Sequence, residues 1–315
     1  VAIRTLIKAH QKAQNYSNEY PNNNLEELQM NIDIAIIGGS GLYRMYGLEN
    51  TQEKELTTPF GKPSAPIMTG TLAGKRVAFL ARHGVGHSIS PTEINYRANI
   101  FALKSLGVNR ILSISACGSL REDYAPGDIV IPDQLFDFTR KRTNSFFGDG
   151  LVAHISVANP FCDDLSSQTF QAVQATGANT HQGGEFITIE GPRFSTKTES
   201  NTYRSWGMSL IGMTTSPEAF LAREAEICYA VMAHVTDYDV WHISEEAVTV
   251  EMVIEILVRN TKTAQRAIRN LVQKLDPVRN CQCATALSDA LITSPDNIPE
   301  ATRERLALLV EKYLP

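Results

Sequence analysis

Short apolar runs that stop abruptly at small hydroxyl, glycine or charged residues constrain this chain more than any other feature. Residues 32–37 run into Gly38-Gly39-Ser40-Gly41, 75–81 into Arg82-His83-Gly84, and 110–114 into Ser115-Ala116-Cys117-Gly118-Ser119. Residues 208–213 stop at Thr214-Thr215, and 228–235 at Thr236, Asp237 and Asp239. Runs of this length and bounding read as buried strands. Helical patterns lie between them. Ser90-Pro91-Thr92-Glu93 has the form of a capping box with Pro at the first helical position, predicting a helix that carries Ile94, Ala98, Phe101, Ala102 and Leu106 to Gly107. Further helices are predicted over 161–175, after the Thr196-x-x-Glu199 cap, after Ser216-Pro217-Glu218, and over a long amphipathic stretch from Val250 to Leu275 that Pro277 ends. Residues 134–150 read as a long, mobile loop. The alternation predicts an α/β fold, a single domain with a mixed central β-sheet flanked by helices. In such sheets ligands bind beyond the carboxyl ends of the strands.

Composition narrows the class. The 315 residues are 43% hydrophobic and 20% charged, as in a globular chain with a sizeable core. A net charge of -5 argues against nucleic-acid or membrane-surface partners. No apolar run approaches the roughly 20 residues of a membrane span, and no signal peptide is evident, so a cytoplasmic location is expected. Cys117, Cys162, Cys228, Cys281 and Cys283 are too few and scattered for a disulfide scaffold, and Cys281-x-Cys283 is closer than usual zinc pairs, so no structural metal is expected. Residues 1–31 read as a polar N-terminal extension, 32–277 as the folded domain, and 278–315 as a tail with a short helix. The chain opens on Val with Met30 just ahead of the first strand. A GUG codon read literally gives that, so residues 1–29 are expected to be an upstream extension that is not always translated. A native N-terminus at Met30 supports this, and one at residue 1 overturns it.

The strand ends carry complementary chemistry. Gly38-Gly39-Ser40-Gly41 lacks the third glycine of a dinucleotide fingerprint and reads either as a tight turn or as a backbone approach to an anion with a hydroxyl at Ser40. Arg82-His83-Gly84 reads as an oxyanion clamp or a surface loop. Cys117 has no basic neighbour in sequence and reads as a buried thiol rather than a nucleophile. Asp237 and Asp239 alternate on an extended chain, so both can converge on one ligand edge, or sit as solvated aspartates in a turn. Hydroxyls with an Arg-His pair suit an oxyanion, and carboxylates suit a partner with amino or ring-nitrogen groups.

Together with Thr58-Pro59-Phe60-Gly61-Lys62-Pro63-Ser64, Pro126-Gly127-Asp128-Ile129-Val130, Glu190-Gly191-Pro192-Arg193-Phe194-Ser195 and Met213-Thr214, these motifs resemble the 5′-methylthioadenosine phosphorylase family, in the trimeric branch of the purine nucleoside phosphorylases. The resemblance spans about residues 32 to 275. It implies a nucleoside-phosphorylase-like fold, with 32–277 as the phosphorylase domain. It implies a phosphate site of Ser40, Arg82, His83, Ser115, the Ala116 backbone and Thr214. Met213 would lie under the ribose, Phe194 near the base, and Asp237 and Asp239 at the purine. Ser195 and Val250 fall where substrate preference is set, and His154 would reach a neighbouring subunit's 5′ end in a homotrimer, with a hexamer as the larger alternative. Ser40 and Ser115 stand where many relatives have Thr, and both keep the hydroxyl. Relatives also form disulfides, and Cys162 with Cys228 is a candidate pair.

The implied reaction is phosphorolysis of S-methyl-5′-thioadenosine to adenine and 5-methylthioribose 1-phosphate. Inorganic phosphate is a co-substrate, and no metal or organic cofactor is needed. Asp237 would assist the leaving base at its ring nitrogen. The runner-up is a phosphorylase for 6-oxopurine nucleosides or methylthioinosine, a subclass that tends to carry Glu and Asn near the base, against Ser195 and Asp237 here. Outside the class, the rival is a nucleotide-binding module without turnover, against which the Arg82-His83 and Asp237 groups argue.

Overall fold

A computed structural model describes residues 30–39, 41–42, 44–242 and 250–314, with 250–259 described by backbone alone. Its centre is a set of parallel strands, β4 (Lys75–Ala81), β1 (Ile34–Gly38), β5 (Arg110–Ser119) and β11 (Cys228–Asp237), in that order across the sheet. β2 (Leu48–Lys54) and β3 (Ile67–Leu72) extend it antiparallel on one side. The long β5 branches the other side. One branch runs through β10 (Leu210–Gly212), β9 (Glu185–Ile189) and β7 (Gln134–Phe138), the other through β11, β6 (Ile129–Ile131) and β8 (Thr180–Gln182). The sheet is mixed, as expected.

Period-two alternation sorts side chains onto two faces. Ala35, Ile37, Tyr229 and Val231 join one core with α1 (Tyr96–Ser105), α4 (Thr215–Glu224) and α6 (Glu300–Val310). Ile34, Ile36, Ala230 and Met232 join the other with α2 (Asp163–Gln174) and α5 (Val250–Lys274). α3 (Lys197–Ser205) carries the capping box anticipated at Thr196 and Glu199. Leu287, Leu306 and Val310 are fully buried in the first core, so residues beyond 278 complete it. No helix among the described residues is long and apolar enough to cross a membrane.

Some expectations are corrected. The Ser90 pattern does not open a helix. Glu93 accepts from the Ser90 hydroxyl and backbone N–H, closing a single turn. α1 starts at Tyr96, where the Asn95 side chain accepts from the Ala98 N–H and donates to the Phe60 carbonyl. That contact, 35 residues back in sequence, sets the helix start. Residues 134–150 are not a mobile loop either. They begin with β7, paired parallel to β9 throughout, and continue through the pinned Arg142 discussed below. β2 and β7 escape a hydrophobic-run reading because their side chains are polar or half-exposed, as suits peripheral strands. All five cysteines are free thiols, so Cys162 and Cys228 are not bonded as a disulfide.

Candidate functional site

A cavity of about 880 Å³ lies beyond the carboxyl ends of the central strands. Arg82, His83, Ser115, Ala116, Met213 and Thr214 line it, and so do Phe194, Ser195, Asp237 and Asp239. The parallel strands β4, β5 and β11 bring Arg82, His83, Ser115, Ala116, Asp237 and Asp239 together, and the segments after β9 and β10, on the branch antiparallel to β5, add Phe194, Ser195, Met213 and Thr214. β1, β4, β5 and β11 run in the same direction, so their tips meet at one edge. Of the remaining expected residues, Ser40 and the Val250 side chain lie outside the described residues. His154 is exposed, its N–H bonded to the Ala290 carbonyl, and it does not line the cavity of its own chain.

Arg82 does not present an open fork. It is buried, and its Nε and Nη2 donate to the two carboxylate oxygens of fully buried Glu218, both at 2.8 Å. Nη2 also donates to Ser113 Oγ and Nη1 to the Ile114 carbonyl. Of a guanidinium's five N–H groups, one is left for a ligand. Burial alone would lower the Arg82 pKa, but the Glu218 charge and hydrogen bonds hold it above its ordinary value. Glu218 in turn accepts from Tyr229 Oη at 2.8 Å. The pair therefore contributes little net positive charge to the cavity.

His83 is similarly restricted. Its Nδ1 lies 2.9 Å from the Ile89 carbonyl, which can only accept, so Nδ1 carries the hydrogen. Burial, and to a lesser extent Arg82 and His87, push its pKa down to about 4. The ring is neutral at pH 7 and Nε2 is an acceptor, able to receive a proton from a ligand rather than donate one.

Asp237 is tightly framed. Its Oδ1 accepts from the Asp239 N–H at 2.7 Å, and Thr236 Oγ1 sits 2.6 Å from Oδ2 and 3.1 Å from the Cys117 carbonyl. Thr236 has one hydroxyl hydrogen for two acceptors. When it serves Cys117, the contact with Asp237 is complete only if Asp237 supplies a hydrogen. Burial pushes the Asp237 pKa up to about 6, against the lowering effect of these donors. Burial likewise raises Asp239. Gly118 permits this packing, since a Cβ there would lie 2.9 Å from Asp237 Oδ1.

Sequence reasoning missed two supports. Glu218 read only as a first-turn helix charge, with nothing to link it to Arg82, 136 residues away. Arg142 lay in the supposed loop, yet its side chain is 1% exposed and donates to the carbonyls of Met213, Ser216 and Glu190. It ties the ends of β9 and β10 together and holds Met213 at the cavity. Gly191, at φ +66°, packs there too, where a Cβ would meet Met213 Sδ at 2.6 Å.

Residues 33–273 match the family model of the phosphorylase superfamily. The S-methyl-5′-thioadenosine phosphorylase of Geobacter sulfurreducens is 54% identical, covering 89% of this chain and 99% of the relative. That of Koribacter versatilis is 50% identical, covering 90% and 97%. Among solved structures, a methylthioadenosine phosphorylase from an antarctic soil metagenomic library is 46% identical with a TM-score of 0.86, covering 89% of this chain and 99% of that one. The methylthioadenosine phosphorylase of Schistosoma mansoni in complex with adenine is 34% identical with a TM-score of 0.76, covering 89% and 98%.

Proposed function

Because the chain belongs to the phosphorylase superfamily, among its S-methyl-5′-thioadenosine phosphorylases, we propose that it cleaves S-methyl-5′-thioadenosine with inorganic phosphate. The products are adenine and 5-methylthioribose 1-phosphate, which places the enzyme in purine and methionine salvage. One observation carries the chemistry: a half-buried carboxyl, Asp237, with its pKa pushed up to about 6, on the wall of a cavity that also holds Arg82 and His83. Cleavage of the sugar–base bond develops positive charge on the sugar and negative charge on the leaving purine, as in glycoside hydrolysis. Phosphate held by Arg82, His83, Ser115, Thr214 and Ser40 stabilises the sugar cation and adds to the anomeric carbon. Asp237 supplies the proton to the departing base. Positioning and electrostatics do the work, without a covalent nucleophile or a cofactor.

The assembly is a homotrimer in the cytoplasm on this reading, with His154 of one subunit covering the 5′ end of a neighbour's site. His154 is exposed on its own subunit, as that placement requires. The decisive assay is adenine release from methylthioadenosine with and without phosphate. Release only with phosphate is expected. No release in either condition leaves a binding module, and release without phosphate makes the enzyme a hydrolase.

A further inference from the structure

Away from the cavity, at the opposite end of β11, four cysteine sulfurs gather. Cys162 is the N-cap of α2, Cys228 is the first residue of β11, and Cys281 and Cys283 lie at the 3-10 turn Gln282–Thr285. All four Sγ atoms lie within 4.8 Å of one another, and three of the residues are buried. We infer that this cluster is a tetrahedral thiolate site for a divalent zinc-class ion, which staples the C-terminal segment to the sheet.

Size and charge both fit. Zinc–sulfur bonds of about 2.3 Å in a tetrahedron place the sulfurs about 3.8 Å apart. Cys228 and Cys281 are 3.3 Å apart and the widest pair is no more than 4.8 Å, so only small side-chain rotations are required. Four thiolates around a dication carry a net double negative charge, which a buried site must offset. Two guanidinium groups stand ready. Arg223 Nη1 donates to Cys283 Sγ at 3.5 Å, and Arg279 Nη1 lies 4.0 Å from Cys228 Sγ. N–H donors aimed at ligand sulfurs are the outer-shell support such centres use. Both arginines are themselves anchored, to the carbonyls of Asn159 for Arg223 and of Asn109 and Glu226 for Arg279. The one-residue spacing of Cys281 and Cys283 hid the site in sequence, because its other half comes from α2 and β11. Soft thiolate ligands select zinc over magnesium or calcium.

The full-length chain, free of any affinity tag, is purified without chelator from zinc-supplemented cells, and its metal is counted by plasma mass spectrometry. One zinc per chain is expected, released when a mercurial blocks the thiols. After reduction and removal of zinc, added Co²⁺ should give the intense visible bands of tetrahedral thiolate coordination. The Cys281→Ser/Cys283→Ser double variant should bind no zinc and unfold at a lower temperature, while still releasing adenine below that temperature. Should that variant fail to fold, the cobalt spectrum of the wild-type chain decides alone. Metal-free protein that takes up neither ion after reduction overturns the inference. If its intact mass is also lower by the hydrogens lost to disulfide formation, the cluster is a disulfide pair instead.

Discussion

Glu218 is a fully buried carboxyl and Asp237 a half-buried one, and their surroundings set them to opposite tasks. Glu218 is paired through both carboxylate oxygens with Arg82. Removing it strands a buried guanidinium, so Glu218→Ala is expected to cost about 3–5 kcal/mol of stability by urea denaturation. A loss below about 1 kcal/mol would show that the pair is not structural. Asp237 has no cationic partner among the described residues, and its pKa is pushed up toward neutrality by burial. Its folded pKa of about 6 lies above the ordinary 3.8, so the folded state binds this proton more tightly. Stability from this group is full below about pH 4 and is lost as pH rises through 6. Asp237→Asn should therefore stabilise the ligand-free protein at pH 7 by about 2–3 kcal/mol, with no gain at pH 4. The same substitution should cut phosphorolysis of methylthioadenosine by about 10²–10⁴-fold. Methylthioinosine should suffer much less, because an amide can still donate to a 6-oxo group and to the ring nitrogen. Equal losses on both substrates, measured at saturating phosphate, would move the base-reading role to Asp239.

At the scale of elements, the cavity depends on the ends of β9 and β10, which pair in parallel along all three residues of β10. Beyond that ladder Arg142 ties the chain from the segment after β7, reaching Tyr96 Oη at 3.1 Å as well as the Met213, Ser216 and Glu190 carbonyls. An ammonium cannot span those acceptors as a planar fork does. Arg142→Lys is expected to leave the far-ultraviolet circular dichroism unchanged and to lower kcat/KM about 10²-fold, the effect of misplacing a positioning contact. Unaltered kinetics would mean that β9 and β10 hold Met213 without it. On the proposed reading α5 bears on substrate choice through its sequence, in which Val250 and Val253 are aliphatic and suit a methylthio group better than a hydroxyl. Burying an unpartnered hydroxyl costs about 1–3 kcal/mol, so methylthioadenosine should be preferred over adenosine by about 10–100-fold in kcat/KM. Equal efficiency on the two nucleosides would rule out an apolar 5′ wall.

Across the whole molecule, the C-terminal segment is part of the core rather than an appendage. Leu306, Leu309 and Val310 are buried, and Glu226, itself buried, accepts from the Leu287 N–H and pairs with Lys312. Large core side chains cost about 2–5 kcal/mol each when lost, against about 5–15 kcal/mol of total stability. A chain stopped before Glu300 should therefore not accumulate as soluble folded protein, and recovery of an active truncated enzyme would contradict this. The buried strands, the long α5 helix and the terminal helix were legible in sequence, because apolar periodicity and caps are local properties. So were the strand tips that line the cavity, since glycine, hydroxyl and carboxyl residues after an apolar run mark where a buried strand ends. Residue types alone could not say which groups remain available. That Arg82 is spent on Glu218, that Ile89 turns the free nitrogen of His83 into an acceptor, and that four scattered cysteines meet are outcomes of long-range packing. Such contacts join residues far apart in the chain through distance and direction, quantities that only the tertiary structure supplies.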